Sequence, residues 1–304
     1  MRPLPAGRAR RVLATLAVLA LAAGLAGCGD DTSDDTSSAP SSPAPTSSAD
    51  PALAAKVPAA IKADGAIVVG TDSTYAPSEF LAADGKTIQG FDVDLFTAVA
   101  GKLGLKATFQ SAPFDAIIPG IASAKYEVGV SSFTVNADRK KTVDMISYFN
   151  AGTQWATKKG NAAGVSADDA CGKNIAVQKG TVQADDIAAR SKKCTTAGKK
   201  AIKVDIYQGQ DQATAAVVSG KDDAMLADSP VCAWAVKQAS GQLDLLGDVY
   251  DAAPYGYVVK KGQADFGQAI ADAVKALITD GTYKTILTKW NVQAGAITDP
   301  AVNP

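Results

Sequence analysis

The strongest constraint in this sequence is an alternation of strand-like and helix-like stretches that runs through it twice. Ala66-Ile67-Val68-Val69-Gly70 reads as a short apolar strand leading into the polar loop Thr71 to Pro77. Asp84-Gly85-Lys86 has the composition of a hairpin turn. Val93, Phe96, Val99 and Leu103 recur at helical spacing, with Asp92 placed to cap the helix and Gly104 to end it. Lys106 to Phe109 reads as a strand, Phe114 to Ala122 as a helix and Val128 to Ser131 as a strand. After a loop from Lys158 to Gly164 the order restarts: strand Asn174 to Val177, helix Thr181 to Arg190, strand Ile202 to Tyr207, helix Gln210 to Ser219, strand Ala224 to Ala227, helix Ser229 to Ala239. Tyr255 to Val259 then reads as a strand, with Ala264 to Thr279 and Thr282 to Trp290 as helices. Strands alternating with helices specify an α/β architecture with a largely parallel sheet. Two runs of it predict two units of similar size.

The N-terminus follows different rules. Arg8, Arg10 and Arg11 precede an uncharged run from Val12 to Gly27, built mainly of Ala, Leu and Val. The run is short for a membrane span and fits a signal-peptide core. It ends in Leu25-Ala26-Gly27-Cys28, which resembles the lipobox of bacterial lipoproteins. Residues 1–28 are therefore expected to be a lipoprotein signal peptide and Cys28 the lipidated residue, with general and twin-arginine secretion both open. Asp30 to Pro51 is almost wholly Asp, Ser, Thr, Ala and Pro, which cannot bury enough apolar surface to offset chain entropy. Residues 29–58 are expected to be a disordered tether holding the protein at the outer face of the cytoplasmic membrane.

Composition narrows the chemistry. The 304 residues carry a formal net charge of −1 and no histidine. Near-neutral charge gives no electrostatic case for nucleic acid. Without histidine the commonest general base and nitrogen metal ligand are missing. The pairs Asp168-Asp169, Asp185-Asp186 and Asp222-Asp223 lack a glycine-punctuated ligand loop, so no metal or cofactor is expected. With Cys28 assigned to lipid, Cys171, Cys194 and Cys232 remain, an odd number that leaves at least one free thiol. Cys171 and Cys194 flank a short βα stretch and are the expected disulfide, whose closure is worth roughly 3 kcal/mol in the chain-entropy model. Cys232, among Val231, Ala233 and Trp234, reads as buried and inert.

The chemistry gathers where strands end. Val128 to Arg139 runs from a strand through Ser131, Ser132, Phe133 and Thr134 to an arginine, whose planar fork matches a carboxylate. A faint internal echo lays Ala122 to Ser132 against Val218 to Asp228, which sets Ser132 of the first unit opposite Asp228 of the second. In open α/β sheets ligands collect beyond the carboxyl ends of strands. An arginine on one wall and an aspartate on the other suit a zwitterion. A plain solvated loop is the bland alternative for this stretch.

Further motifs stand in order along the chain. Gly90-Phe91-Asp92-Val93-Asp94-Leu95, followed by Val99-Ala100 and Leu103, lies between Gly70 to Pro77 and Phe114-Asp115-Ala116-Ile117-Ile118-Pro119-Gly120. Ser131 to Thr134 with Arg139, Gly180-Thr181, Asp223-Ala224 with Asp228, and Asp280-Gly281-Thr282-Tyr283 with Lys289-Trp290 complete the series. Over about Ile67 to Asn291 the chain resembles the family 3, polar amino-acid branch of the ABC-transporter solute-binding proteins. The resemblance implies a two-lobed, periplasmic-binding-protein-like type II α/β fold with two crossing hinge strands, near Ser147 to Ala156 and Ala252 to Val258. Lobe 1 would comprise residues 59–152 and 255–304, and lobe 2 residues 153–254.

The same resemblance assigns roles. Arg139 would hold the ligand carboxylate, helped by Thr134 and by backbone N–H groups at Thr181 and Val182. Asp228 would take the ammonium, with Ser132 as a further acceptor, and Ser131 belongs to the same ligand-binding set. Tyr75 and Phe133 would sandwich the side chain, Phe114 would line the pocket, and Asp72 and Gln178 would meet its far end. Many relatives have an aromatic residue at Ser78 and Thr or Ser at Val182, which loosens any inference about the side chain. Asp92 and Asp94 read as helix-start carboxylates rather than ligand contacts. Phe114, Phe133 and Tyr75 also suit a plain core, and Asp72 a turn cap. The implied protein is no enzyme but a monomeric, membrane-tethered receptor that delivers an amino acid to an ABC permease and its ATPase subunit. The alternatives are a cyclohexadienyl-dehydratase-like enzyme, with Asp72, Glu79, Asp228 or Lys179 as acid or base, and a sensor uncoupled from transport.

Overall fold

A computed structural model describes residues 47–304; the expected signal peptide, Cys28 and most of the expected tether lie outside the described residues. In chain order the first elements are α1 (Pro51–Lys56), α2 (Ala59–Lys62), β1 (Ala66–Thr71), β2 (Thr74–Tyr75), β3 (Glu79–Leu81), β4 (Ile88–Gln89) and α3 (Phe91–Lys102). Then come β5 (Lys106–Ser111), α4 (Phe114–Ala122), β6 (Val128–Thr134), α5 (Ala137–Thr142) and β7 (Val143–Lys158). The next run is β8 (Asn174–Gln178), α6 (Val182–Thr196), β9 (Lys203–Tyr207), α7 (Gln210–Ser219), β10 (Ala224–Asp228) and α8 (Ser229–Gln238). The chain closes with β11 (Leu243–Lys260), α9 (Ala264–Thr279) and α10 (Thr282–Lys289).

Eight strands form one sheet in the order β5-β1-β6-β11-β7-β10-β8-β9. Each flank is parallel: β1 pairs with β5 and β6, and β8 with β9 and β10. The centre is antiparallel, because β7 and β11 pair from Leu243↔Lys158 to Lys260↔Val143 and so run from one flank to the other. These two long strands are the crossings, and they divide the protein into two lobes. A separate small sheet, β2-β3-β4, holds the turn at Asp84 to Lys86.

The core follows the sequence periodicity. In the first lobe, Phe91, Leu95, Phe96 and Val99 of α3 meet Phe266, Ile270 and Val274 of α9 and Tyr283, Ile286 and Leu287 of α10. In the second, Ile175, Val177, Ile187 and Leu226 pack with Trp155 on one side of the sheet, and Ala213, Val217, Val231 and Cys232 lie on the other. Cys171 and Cys194 form a disulfide, and the buried Cys232 thiol, pushed up by burial, donates to the Gln154 carbonyl at 3.3 Å.

Two expectations need correction. The tether does not extend to residue 58: Asp50 caps α1 by accepting from Ala52 N at 2.8 Å, and Leu53, Val57 and Ile61 are buried in the first lobe. Their spacing of four residues makes an apolar stripe that the preceding Ser/Pro/Asp composition masks. Nor is Asp92 the cap of α3. The helix starts at Gly90, whose φ of +143° and whose absent Cβ, which would lie 2.0 Å from the Ser78 carbonyl oxygen, admit only glycine. Asp92 sits inside the first turn, fully buried, and is used elsewhere.

Candidate functional site

Arg139 lies on α5, not in a loop. The Asn136 side chain caps that helix by accepting from Arg139 N at 2.8 Å. This directs the guanidinium over Phe114 and Phe133, at 5.3 and 5.5 Å from their ring centres. It donates to the Thr134 carbonyl at 2.8 Å and, across to the second lobe, to the Gly180 carbonyl at 3.2 Å. A guanidinium has five N–H donors, so these bonds leave others for a carboxylate. Burial pulls its pKa down to about 10, opposed by Asp228, Tyr75 and Asp185. It remains a cation at neutral pH.

Asp228 ends β10 and is buried. Its Oδ2 accepts from the Tyr75 hydroxyl at 2.8 Å and its Oδ1 from Gln183 Nε2 at 2.8 Å, while Asp228 N donates back to the Tyr75 oxygen at 3.2 Å. Burial raises the carboxyl above its ordinary value, and the bonds from Tyr75 and Gln183 and the charge of Arg139 offset part of the rise. Burial beside Asp228 pushes the Tyr75 phenol well up, so Tyr75 is a neutral donor.

Arg139 and Asp228 line the same cavity. Tyr75, Phe114, Ser132 and Thr134 complete its first-lobe wall, and Thr181, Val182 and Gln183 its second-lobe wall. The last three residues form the N-terminus of α6, where Thr181 Oγ1 caps by accepting from Ala184 N at 3.1 Å. Such an end points backbone N–H groups and positive dipole at an anion. The cavity volume is about 10 Å³, close to the least that holds one water. An amino acid needs the two walls to part.

Eight expected site residues thus meet at one cavity: Tyr75, Phe114, Ser132, Thr134, Arg139, Thr181, Val182 and Asp228. The other four do not line it. Asp72 accepts from Thr74 N and Oγ1 on one oxygen and from Phe114 N at 2.9 Å and Gln178 Nε2 at 2.8 Å on the other. Asp72 and Gln178 therefore tie the lobes together beside the cavity. Burial raises the Asp72 carboxyl despite these bonds. Ser131 points away: its hydroxyl accepts from Asp72 N at 3.0 Å and donates to Glu79 Oε1 at 2.9 Å. The ring facing Phe133 is Phe114, stacked at 4.7 Å, whereas Tyr75 is directed at Asp228. Gln183 is the lining residue that the sequence reading missed, since a glutamine in a helix's first turn reads as solvated surface.

A larger cavity, about 520 Å³, lies between β7, β11, α8 and residues 290–295. Trp234, Trp290, Phe149 and Leu245 make it apolar, and among the described residues its one charged lining residue is Lys237. It offers an ammonium no carboxylate partner among the described residues. Among the described residues one candidate metal cluster exists, Asp169 with Cys171 and Cys194, and its sulfurs are spent on the disulfide.

The model of the bacterial extracellular solute-binding proteins, family 3, matches residues 67–293. The arginine-binding protein ArgT of Corynebacterium glutamicum is 33% identical over 297 residues, 97% of this chain and 96% of that protein. The L-cystine-binding protein TcyJ of Escherichia coli is 28% identical over 76% of this chain and 84% of its own. Among solved structures, an ancestral arginine-binding protein bound to arginine superposes with a TM-score of 0.69 at 35% identity, over 74% of this chain and 98% of that one. The chain belongs to the family 3 bacterial extracellular solute-binding proteins and is an extracytoplasmic binding protein of the amino-acid transport type rather than an enzyme.

Proposed function

We propose that the cavity between the lobes clamps the zwitterion of a polar L-amino acid. Arg139 and the α6 N-terminus take the carboxylate, and Asp228 takes the ammonium with Ser132 beside it. The observation that carries this reading is one fixed cation and one buried carboxylate facing the same small cavity from opposite lobes. Tyr75 and Phe114 supply apolar surface for the ligand's carbons, Phe133 backs Phe114 by stacking on it, and Asp72 and Gln178 lie where a longer side chain would reach.

Arginine is the first ligand to test. Lys179, which on sequence alone could favour an acidic side chain, is paired with Asp115 at 2.8 Å, so its charge is answered within the protein. Asp72 and Asp211 add negative charge on that side. Arginine-binding relatives point the same way. The protein would be held by lipid on Cys28 and would hand its ligand to an ABC permease driven by an ATPase.

Thermal shift and tryptophan fluorescence with each of the twenty L-amino acids test the reading on the protein lacking residues 1–28. Trp234 of the second lobe packs 5.7 Å from Phe80 of the first, which makes its emission a reporter of lobe position. One or a few polar amino acids, arginine first, are expected to raise the melting temperature, and Arg139→Ala to abolish the response. No response to any amino acid, or a full response in Arg139→Ala, defeats the clamp.

A further inference from the structure

Glu79 on β3 and Asp92 on α3 are both fully buried behind the cavity wall. Glu79 Oε1 accepts from the Ser131 hydroxyl at 2.9 Å. Asp92 Oδ2 accepts three bonds, from Ser132 N at 3.0 Å, Ser132 Oγ at 3.2 Å and Tyr148 OH at 2.6 Å. The remaining oxygens, Glu79 Oε2 and Asp92 Oδ1, are buried and without a partner, although the two side chains are hydrogen-bonding neighbours. The titratable groups that face the pair are acids and phenols: Asp72 beyond β1, Tyr148 on β7, Tyr255 and Tyr257 on β11, and Tyr283 on α10. Asp94, also on α3, is bound to Lys289 at 2.9 Å and Trp290 at 2.7 Å.

We propose that Glu79 and Asp92 share a single proton, carried by Glu79, which donates from Oε2 to Asp92 Oδ1 and leaves Asp92 as the anion that fixes Ser132 in the cavity wall. Two adjacent carboxylates out of water cannot both hold a charge. One proton gives each orphaned oxygen a partner and removes the repulsion in the same step. Three donors already converge on Asp92 Oδ2 and favour its charged form, whereas Glu79 receives one, so the proton resides on Glu79. Burial and the charge of Asp92 push the Glu79 carboxyl well above its ordinary value, in the same direction. The consequence reaches the site through Ser132. This non-glycine residue has a φ of +48°, a conformation L-residues rarely adopt, and Asp92 holds both its N–H and its hydroxyl. Glu79 and Asp92 are thus positioning residues for the ligand cavity.

The sequence offers an unusually direct test, because Glu79 and Glu127 are its two glutamates. Protein labelled with carbon-13 at glutamate side-chain carboxyls gives two signals, assigned by Glu79→Gln or, where that variant does not fold, by Glu127→Gln. The Glu79 signal is expected at the protonated position at neutral pH; finding both signals at the ionised position overturns the proposal. The pH profile supplies a second readout. A carboxyl whose folded pKa lies above its unfolded value contributes stability that is fully present below about the ordinary 4.5 and lost as pH rises through the folded value. Relative to Glu79→Gln, the wild-type folding constant should fall by up to about tenfold per pH unit across that window. Parallel profiles contradict the shared proton. Neither measurement uses a ligand, so failure here leaves the zwitterion clamp standing, and failure of the clamp leaves the shared proton standing.

Discussion

Asp228 shows what the site costs the fold. Its carboxyl is buried and raised above the ordinary 3.8, so the stability tied to its protonated form is fully present below that value and lost as pH rises through the folded pKa. Asp228→Asn removes the titration. In urea unfolding without ligand, the variant is expected to gain on wild type as pH rises above about 4, while losing amino-acid binding. A gap that stays constant with pH contradicts the buried charge. Arg139 and Asp228 could be read in the sequence because each follows a strand end in the repeated βα pattern, where ligands collect. Glu79, Asp92 and Gln183 could not be read that way. Acids and amides are mostly exposed, and nothing local tells that Glu79 lies under a wall built by residues more than fifty positions later, such as Ser131.

At the scale of elements, apolar periodicity located α4, α7 and α9 to the residue, because each presents one face to a core. It failed where pairing rather than burial makes the element. The first half of β11 is largely exposed, Leu245 and Val249 included, yet it is a strand because β7 lies beside it. Helix α5 buries no residue at all and exists through its Asn136 cap and its place before β7. The helix end that faces the ligand is α6, and its Thr181 cap makes a specific expectation. Thr181→Ala removes the acceptor for Ala184 N and should cost about 1 kcal/mol of stability. Thr181→Ser should restore it. Denaturant unfolding of the three proteins checks this, and equal midpoints contradict a capping role.

For the whole molecule, two α/β lobes joined through β7 and β11 meet at a ring of polar contacts: Asp72 with Gln178, Tyr75 with Asp228, Asp115 with Lys179, and Arg139 with Gly180. The cavity they enclose is too small for an amino acid until the lobes separate, so binding is coupled to hinge motion of the kind such folds use. The two-lobed plan was legible from the doubled βα grammar. The closeness of the walls was not, because contacts between residues a hundred positions apart leave no local pattern.

The clamp stands or falls on whether the ligand's carboxylate is needed. Isothermal titration calorimetry with L-arginine and with agmatine, the same molecule without its carboxylate, tests that directly. Truncating one partner of a buried charge pair costs about 2–5 kcal/mol, so agmatine should bind at least about 30-fold more weakly than arginine to the wild type. Arg139→Ala should bring arginine down toward the agmatine value. Agmatine binding as tightly as arginine, with Arg139 intact, contradicts the clamp.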